Sequence, residues 1–288
     1  MILIDYSQVA ISNIAVQLAM SKDKNVLSVP MVRHMILNSI RGYIHRFKSE
    51  YPGEIVICVD GPDPWRRDIF EQYKAKRREG RNNDDKDWES VFGLIHTIKE
   101  EIRDNFPYKV VQLDKVEADD IIAVICKKNH GKKILIISGD KDFQQLQKYP
   151  DVFQYSPIQK KYIETDSPQE YIYEHILRGD TSDGVPNFLS PDDTFVNKIK
   201  QKPVSKKKLA GWIDSLMRGN DPQDFCNEYH YRNFQRNQRL IDFDYIPDDI
   251  QADIYKEYEK ATVTSRSKIL PYMIQYDLKE LIGKIEEF

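Results

Sequence analysis

Cysteine is scarce in this chain: three residues, Cys58, Cys126 and Cys226, stand far apart among 288. Such spacing builds neither a disulfide framework nor a zinc ligand set, and a reducing cytosol is the expected compartment. The six histidines are scattered and offer no ligand pair. No apolar run is long enough to cross a bilayer, and the opening MILIDYS carries neither a basic region nor a cleavable apolar stretch. A soluble cytoplasmic protein without membrane association is therefore expected. An excess of one charge sign is missing too: the net charge is −3 with 31% charged residues, which alone argues for neither nucleic acid nor an acidic partner. Internal repeats and low-complexity tracts are absent. With 40% hydrophobic residues, the chain can bury one sizeable core and carry a smaller second domain.

Four short apolar runs read as buried parallel strands: MILI before Asp5, EIVICV before Asp60, YKVVQL at 108–113 and KKILIIS before Gly139 and Asp140. Helical patterns separate them, over Val29–Phe47 with Ser28 and Pro30 as a start signal, and over Trp88–Phe106. The alternation predicts an α/β fold, a mainly parallel twisted sheet flanked by helices, whose ligands sit outside the carboxyl ends of the strands. After Tyr162, prolines at 168, 186, 191 and 203 and charged helical patterns change the texture. The expected division is an α/β domain over 1–164 and a smaller, mainly helical domain over 165–288. LIDFDYIPDDI at 240–250 and the closing SKILPYMIQYDLKELIGKIEEF are expected to pack as amphipathic helices on the core.

Acidic residues gather where those strands end. Asp5, Asp60 and Asp140 each terminate an apolar run, so parallel strands would bring all three to one sheet edge. Glu117, Asp119 and Asp120, in EADD, open the helix that follows the third strand, and Asp142, Asp180 and Asp183 follow in nearby turns. One Asp after a strand is commonly a turn or cap residue, and helix N-termini favour acids. Joint convergence of so many argues for an ion site. All-oxygen ligands indicate a hard cation, Mg²⁺ or Mn²⁺, and the number of carboxylates exceeds what one ion needs, so two ions are expected. Paired ions activate water and stabilise the leaving oxygen in attack on phosphorus, which makes phosphodiester hydrolysis the leading chemistry.

Basic residues are segregated as well. WRRDIFEQYKAKRREGR carries Arg66, Arg67, Lys74, Lys76, Arg77, Arg78 and Arg81, with Tyr73 between the cations as a possible stacking surface. A second run holds Lys198, Lys200, Lys202, Lys206, Lys207 and Lys208. Both suit phosphate-backbone contact, and neither contains a base-reading signature.

The ordered set LIDYS, CVDG, WRRDIFEQYKAKR, EADD, SGDKDFQQL and GDTSDGVP resembles the 5′-nuclease superfamily of flap endonucleases and polymerase-associated 5′ nucleases. LIDYSQVAIS, SVPMVRHMILNSI and LIDFDYIPDDI resemble its T-even phage ribonuclease H branch across nearly the whole chain. The resemblance implies that Asp5, Asp60, Glu117 and Asp119 serve a first Mg²⁺, with Asp140 bridging or close by. It implies that Asp142 and Asp183 serve a second, with Asp120 and Asp180 in or just outside the ligand shell. Arg66, Tyr73 and Lys74 would stand beside the scissile phosphate in a bridge or arch over about 65–86. Arg67, Lys76, Arg77, Arg78 and Arg81 would contact the nucleic acid.

The implied protein is a monomer that removes RNA primers and short DNA 5′ ends in lagging-strand replication. Its substrates would be DNA with a 5′ flap, nick or gap and RNA–DNA hybrid, its partners a single-stranded DNA-binding protein or sliding clamp, its setting a phage-infected bacterial cell. One departure stands out. Many relatives continue GDxSDN with a glycine-rich GIGxKTA segment that grips the duplex, whereas here GVPNFLSPDDTFVNKIKQKPVSKKK follows, and Lys206, Lys207 and Lys208 are expected to substitute for it. Two other readings stay open. Asp140-Lys141-Asp142 suggests an aspartyl phosphatase, although Gln144 stands where Thr or Val is usual, and a non-catalytic nucleic-acid-binding factor would also carry the basic runs.

Overall fold

The computed structural model describes residues 1–21, 26–82, 84 and 86–288. The chain runs β1 (Ile2–Asp5), α1 (Tyr6–Met20), α2 (Val29–Phe47), β2 (Ile55–Cys58), α3 (Arg66–Ile69), α4 (Ala75–Asn82), α5 (Trp88–Asn105), β3 (Lys109–Val111), α6 (Ala118–Lys128) and β4 (Ile134–Ile137). It continues through a 3₁₀ turn (Lys141–Lys148), β5 (Val152–Ser156), β6 (Lys161–Ile163), α7 (Pro168–Arg178), α8 (Lys206–Met217), α9 (Glu228–Ile241), α10 (Asp248–Lys260), α11 (Ile269–Gln275) and α12 (Lys279–Ile282). The basic segment expected to arch over 65–86 thus contains α3 and α4, and part of it lies outside the described residues.

One six-stranded sheet has the order β3-β2-β1-β4-β5-β6, parallel throughout except for the last pair. β1, β2 and β4 are buried along their whole length, which is why they read as unbroken apolar runs rather than as alternation. The two strands beyond the four expected are β5 and β6. Gln154 interrupts the apolar run of β5 and is nonetheless buried, because its Nε2 donates to the carbonyls of Ser138, at 3.0 Å, and Asp140. β6 is three residues long and not buried, so it leaves little imprint on the sequence.

α1, α2 and α5 cover one sheet face, joined by Ile269, Tyr272, Met273, Leu281 and Phe288 from the end of the chain. α6 and α10 cover the other, with Phe243 and Ile246. The C-terminal segments therefore pack on the core, as their amphipathic pattern predicts. A third apolar cluster joins α7, α8 and α9 to Phe70 and Tyr73.

Candidate metal centre

Strand order reverses between β1 and β4, and the crevice outside their carboxyl ends is where such sheets take ligands. Asp5, at the end of β1, caps α1 by accepting from the Gln8 amide at 3.1 Å, while its other oxygen accepts from Ser138 Oγ at 3.0 Å. Asp60 follows β2 and accepts from the Ala118 amide at 2.8 Å, taking up a free N–H at the start of α6. Asp140 follows β4 and accepts from the Asp142 amide at 3.0 Å. The capping roles that ordinarily explain an Asp after a strand are thus present, and these residues also meet in space. A single cavity of about 220 Å³ is lined by Asp5, Asp60, Asp119, Asp140, Asp142, Asp180 and Asp183.

The loop bearing Asp180 and Asp183 closes on itself through a bridge between Asp180 and Val185, and two glycines make that possible. Gly179 has φ +68, and a Cβ there would lie 2.4 Å from the Val185 carbonyl oxygen. Gly184 has φ +76 and passes so near the Gln72 carbonyl that a Cβ would lie 3.1 Å from it. Lys74 takes a left-handed φ of +56, unusual for a side chain that size, and its amide donates to the Asp183 carbonyl at 2.7 Å. The acidic loop and the start of the basic helix are thereby joined backbone to backbone.

Electrostatics test whether a cation fits. Burial, then the nearby charges of Asp60 and Asp140, push the Asp5 carboxyl up to about 7. Burial pushes Asp142 up to about 7 as well, with His175 opposing and Asp140, Asp180 and Asp183 adding to it. Asp119 is raised by burial and by Asp140. Carboxyls held this way resist ionisation until a cation joins them, and the donor set suits a divalent ion.

The sign of the pH dependence follows. An unfolded Asp ionises near about 3.9. In the metal-free protein the raised carboxyls keep their protons longer than the unfolded chain does, so their contribution to stability falls as pH rises from about 4 to about 7. A divalent cation binds the ionised forms and offsets that loss. The gain in Tm from Mg²⁺ over EDTA is expected to be small near pH ~5 and larger near pH ~8. An equal gain at both pH values would contradict this account.

The basic side of the centre differs from the sequence expectation at three residues. Arg66 is 3% exposed and does not face the cavity as an open cation. Its Nε donates to the Leu240 carbonyl, Nη1 to Glu117 and Asp120, and Nη2 to Asp120. Asp120 is wholly buried, and its oxygens accept from Arg66, Trp65 Nε1 and the Glu117 amide, so none is open to an ion. Tyr73 is 3% exposed and offers no open ring for stacking. Its hydroxyl lies 2.9 Å from both Glu117 Oε2 and Asp183 Oδ2, and one phenolic proton cannot serve both.

Lys74 reaches the centre: Nζ donates to Glu117 Oε1 at 2.5 Å and lies 3.5 Å from Asp183 Oδ2. Against the cost of burial, Lys74 and Arg66 hold the Glu117 carboxyl below its ordinary range. Arg77 donates to Asp183 Oδ1 at 2.6 Å from an exposed position. Lys76 and Arg78 are exposed, Lys76 standing over Phe195 with its Nζ 4.3 Å from the ring centre, and Arg67 pairs with Asp63. Lys206, Lys207 and Lys208 are exposed in the first turn of α8.

Two features escaped the sequence. His175, in the last turn of α7, stands between Asp142 and Asp180, with Nδ1 3.3 Å from Asp142 Oδ1 and Nε2 3.6 Å from Asp180 Oδ2. Burial opposes its charge, yet the Asp180 and Asp142 carboxylates raise its pKa. A cleft of about 790 Å³ also runs from Asp60, Lys74 and Glu117 to Arg67, Arg77, Arg81, Trp88 and Phe92. Trp88 and Phe92 stack there at 5.8 Å, and the four-residue spacing on α5 was the available signal.

A family model for the 5′–3′ exonuclease N-terminal, resolvase-like domain matches residues 1–175, and one for the C-terminal part of T4 RNase H matches residues 166–288. The chain belongs to the 5′–3′ exonuclease family. Ribonuclease H of Enterobacteria phage T4 is 37% identical over 295 residues, spanning 99% of this chain and 95% of that protein. The resemblance carried by the motifs is thereby shown, and with it a hydrolase of the nuclease class. The T5 D15 protein crystallised with metal ions superposes with a TM-score of 0.64 at 15% identity, covering 90% of this chain and 98% of the other. The T5 D15 flap endonuclease in a complex with DNA and metal ions gives 0.59 at 16%, covering 90% and 99%. At those identities the T5 structures speak for the fold, which this chain shares from its sheet to its helical C-terminal region. No helix among the described residues is long and apolar enough to cross a membrane.

Proposed function

We propose that the chain is a divalent-metal-dependent 5′ to 3′ exonuclease and flap endonuclease, using two Mg²⁺ ions with Mn²⁺ as a substitute. Its role would be to remove RNA primers and short DNA 5′ ends during lagging-strand replication. The observation that carries this reading is the cavity where seven aspartates converge outside β1, β2 and β4, opening beside a cleft whose lining includes Arg67, Lys74, Arg77 and Arg81. Asp5, Asp60, Asp119 and Asp140 would hold one ion, and Asp142 and Asp183 the other, with Asp180 close beside it. When bound there, the ions supply the charge that lowers the pKa of water and stabilises a leaving oxygen.

The chain's own residues orient and screen. Lys74, aimed by its left-handed backbone at Glu117 and Asp183, is the cation placed to meet charge on a phosphoryl oxygen. Tyr73 and Arg66 hold Glu117 from the buried side and so position it. The exposed Lys76, Arg77 and Arg78, with Arg81 in the cleft, would follow the phosphate backbone of the 5′ strand. Release of 5′-terminal products from a labelled flapped or RNA-primed duplex in Mg²⁺, and none in EDTA, is the expected result. Metal-independent binding without cleavage would favour a non-catalytic binding factor instead.

Lys206, Lys207 and Lys208 enter the same reading. Ser205 caps α8 by accepting from the Lys208 amide, and three cations in a first turn oppose the helix dipole, so the stability of the helix does not call for them. As duplex phosphate contacts, their joint replacement by Ala is expected to weaken binding and to reduce the slope of log K against log salt by about 2.7. An unchanged slope in a salt titration would remove them from the interface.

A further inference from the structure

The carboxylates described so far are oxygen donors, but one nitrogen donor stands beside two of them, Asp142 and Asp180. His175 Nδ1 is buried and has no hydrogen-bond partner. A buried imidazole nitrogen without a well-aligned hydrogen bond is costly, and a cation shared with Asp142 would satisfy it. Nδ1 lies 3.3 Å from Asp142 Oδ1, and donor atoms of Asp142, His175 and Asp180 all fall within 4.8 Å of one another. Two ligand atoms at about 2.2 Å from one ion and at right angles to each other are about 3.1 Å apart, so the Nδ1 to Oδ1 spacing suits adjacent ligands of a shared cation.

The other ring nitrogen completes the arrangement. A neutral imidazole has one N–H and one lone pair, and whichever nitrogen binds a metal leaves the other to donate. Nε2 points towards Asp180 Oδ2 at 3.6 Å, the carboxylate that would fix the ring and its tautomer. Tyr171, one turn earlier on α7, meets the ring edge-on at 5.7 Å, which limits its rotation. Loading a cation there takes the place of a proton on the imidazole.

We propose that His175 Nδ1 and Asp142 are ligands of the second divalent ion, with Asp180 orienting the imidazole. The inference rests on the reading of the cavity as a metal centre. It divides the centre into an all-oxygen subsite around Asp5, Asp60, Asp119 and Asp140 and a nitrogen–oxygen subsite beneath α7. Imidazole favours Mn²⁺, Co²⁺ or Zn²⁺ over Mg²⁺, so the two subsites would differ in the ion they prefer.

The test is pulsed electron paramagnetic resonance on the full chain loaded with Mn²⁺, which detects ¹⁴N bound directly to the ion whether or not substrate is cut. Wild type is expected to show nitrogen modulation, and His175→Ala and the better-filling His175→Gln to lose it. In a Mn²⁺ titration both variants should keep one site and bind at the other about 10- to 100-fold more weakly. Bound Mn²⁺ without nitrogen modulation in wild type would overturn the histidine ligand and leave the proposed function standing. Failure of wild type to bind Mn²⁺ at all would overturn both. Circular dichroism that differs between a variant and wild type would assign its loss of modulation to the fold, and the other variant then decides.

Discussion

Asp119→Asn is expected to abolish Mg²⁺-dependent cleavage while leaving the protein folded. The substitution keeps the size of the side chain and removes one charge from the most crowded part of the cavity, where burial, Asp140, Asp5 and Glu117 all oppose ionisation of Asp119. Loss of an outer partner of a metal ligand typically costs about 10- to 100-fold in affinity or activity, so loss of a direct ligand is expected to cost at least about 100-fold. Without metal the same change relieves repulsion, and the Tm in EDTA should stay level or rise. Initial rates on a 5′-labelled flapped duplex, with thermal unfolding in EDTA beside them, check both halves. Near-wild-type cleavage by the variant would remove Asp119 from the centre.

The neighbouring acid is expected to behave in the opposite way. Asp120→Ala would strip the Arg66 guanidinium of its main partner inside a site that water does not reach, since Asp120 is 0% exposed. Removing one member of a buried ion pair costs about 3–5 kcal/mol, because the other charge is left uncompensated. The Trp65 indole N–H and the Glu117 amide lose an acceptor in the same step. Denaturant unfolding in EDTA should therefore show a loss of that size, independent of metal. Two residues adjacent in EADD would then separate cleanly, Asp119 by activity and Asp120 by stability. An unchanged unfolding midpoint for Asp120→Ala would show that Arg66 is held by other means.

Much of this architecture was legible because buried parallel strands leave unbroken apolar runs, and an Asp closing each run must lie at the strand's carboxyl end. The meeting of Asp5, Asp60 and Asp140 at one edge followed from that rule, and EADD after the third strand added Asp119 to it. The direction in which a side chain turns is another matter. Asp119 and Asp120 differ by one step of helical rotation, and only packing shows that the second turns inward to Arg66. Tyr73 read as a stacking surface because its sequence neighbours are cations, while its ring joins the apolar cluster of α7, α8 and α9. His175 was invisible as a partner of Asp142 because they are brought together by the packing of α7 against the 3₁₀ turn rather than by sequence spacing. β5 was hidden by a buried glutamine whose hydrogen bonds are all long-range in sequence.

The bond from the Lys74 amide to the Asp183 carbonyl, with Gly184 lying against Gln72, has a mechanical consequence. The foot of the basic helix and the acidic loop form a single lever. A strand that pulls on Lys76, Arg77 or Arg78 through its phosphates also pulls on the backbone that carries Asp183. If those cations hold a strand as proposed, tension in it would reach one wall of the cavity, and the grip on the substrate and the spacing of the carboxylates would be coupled.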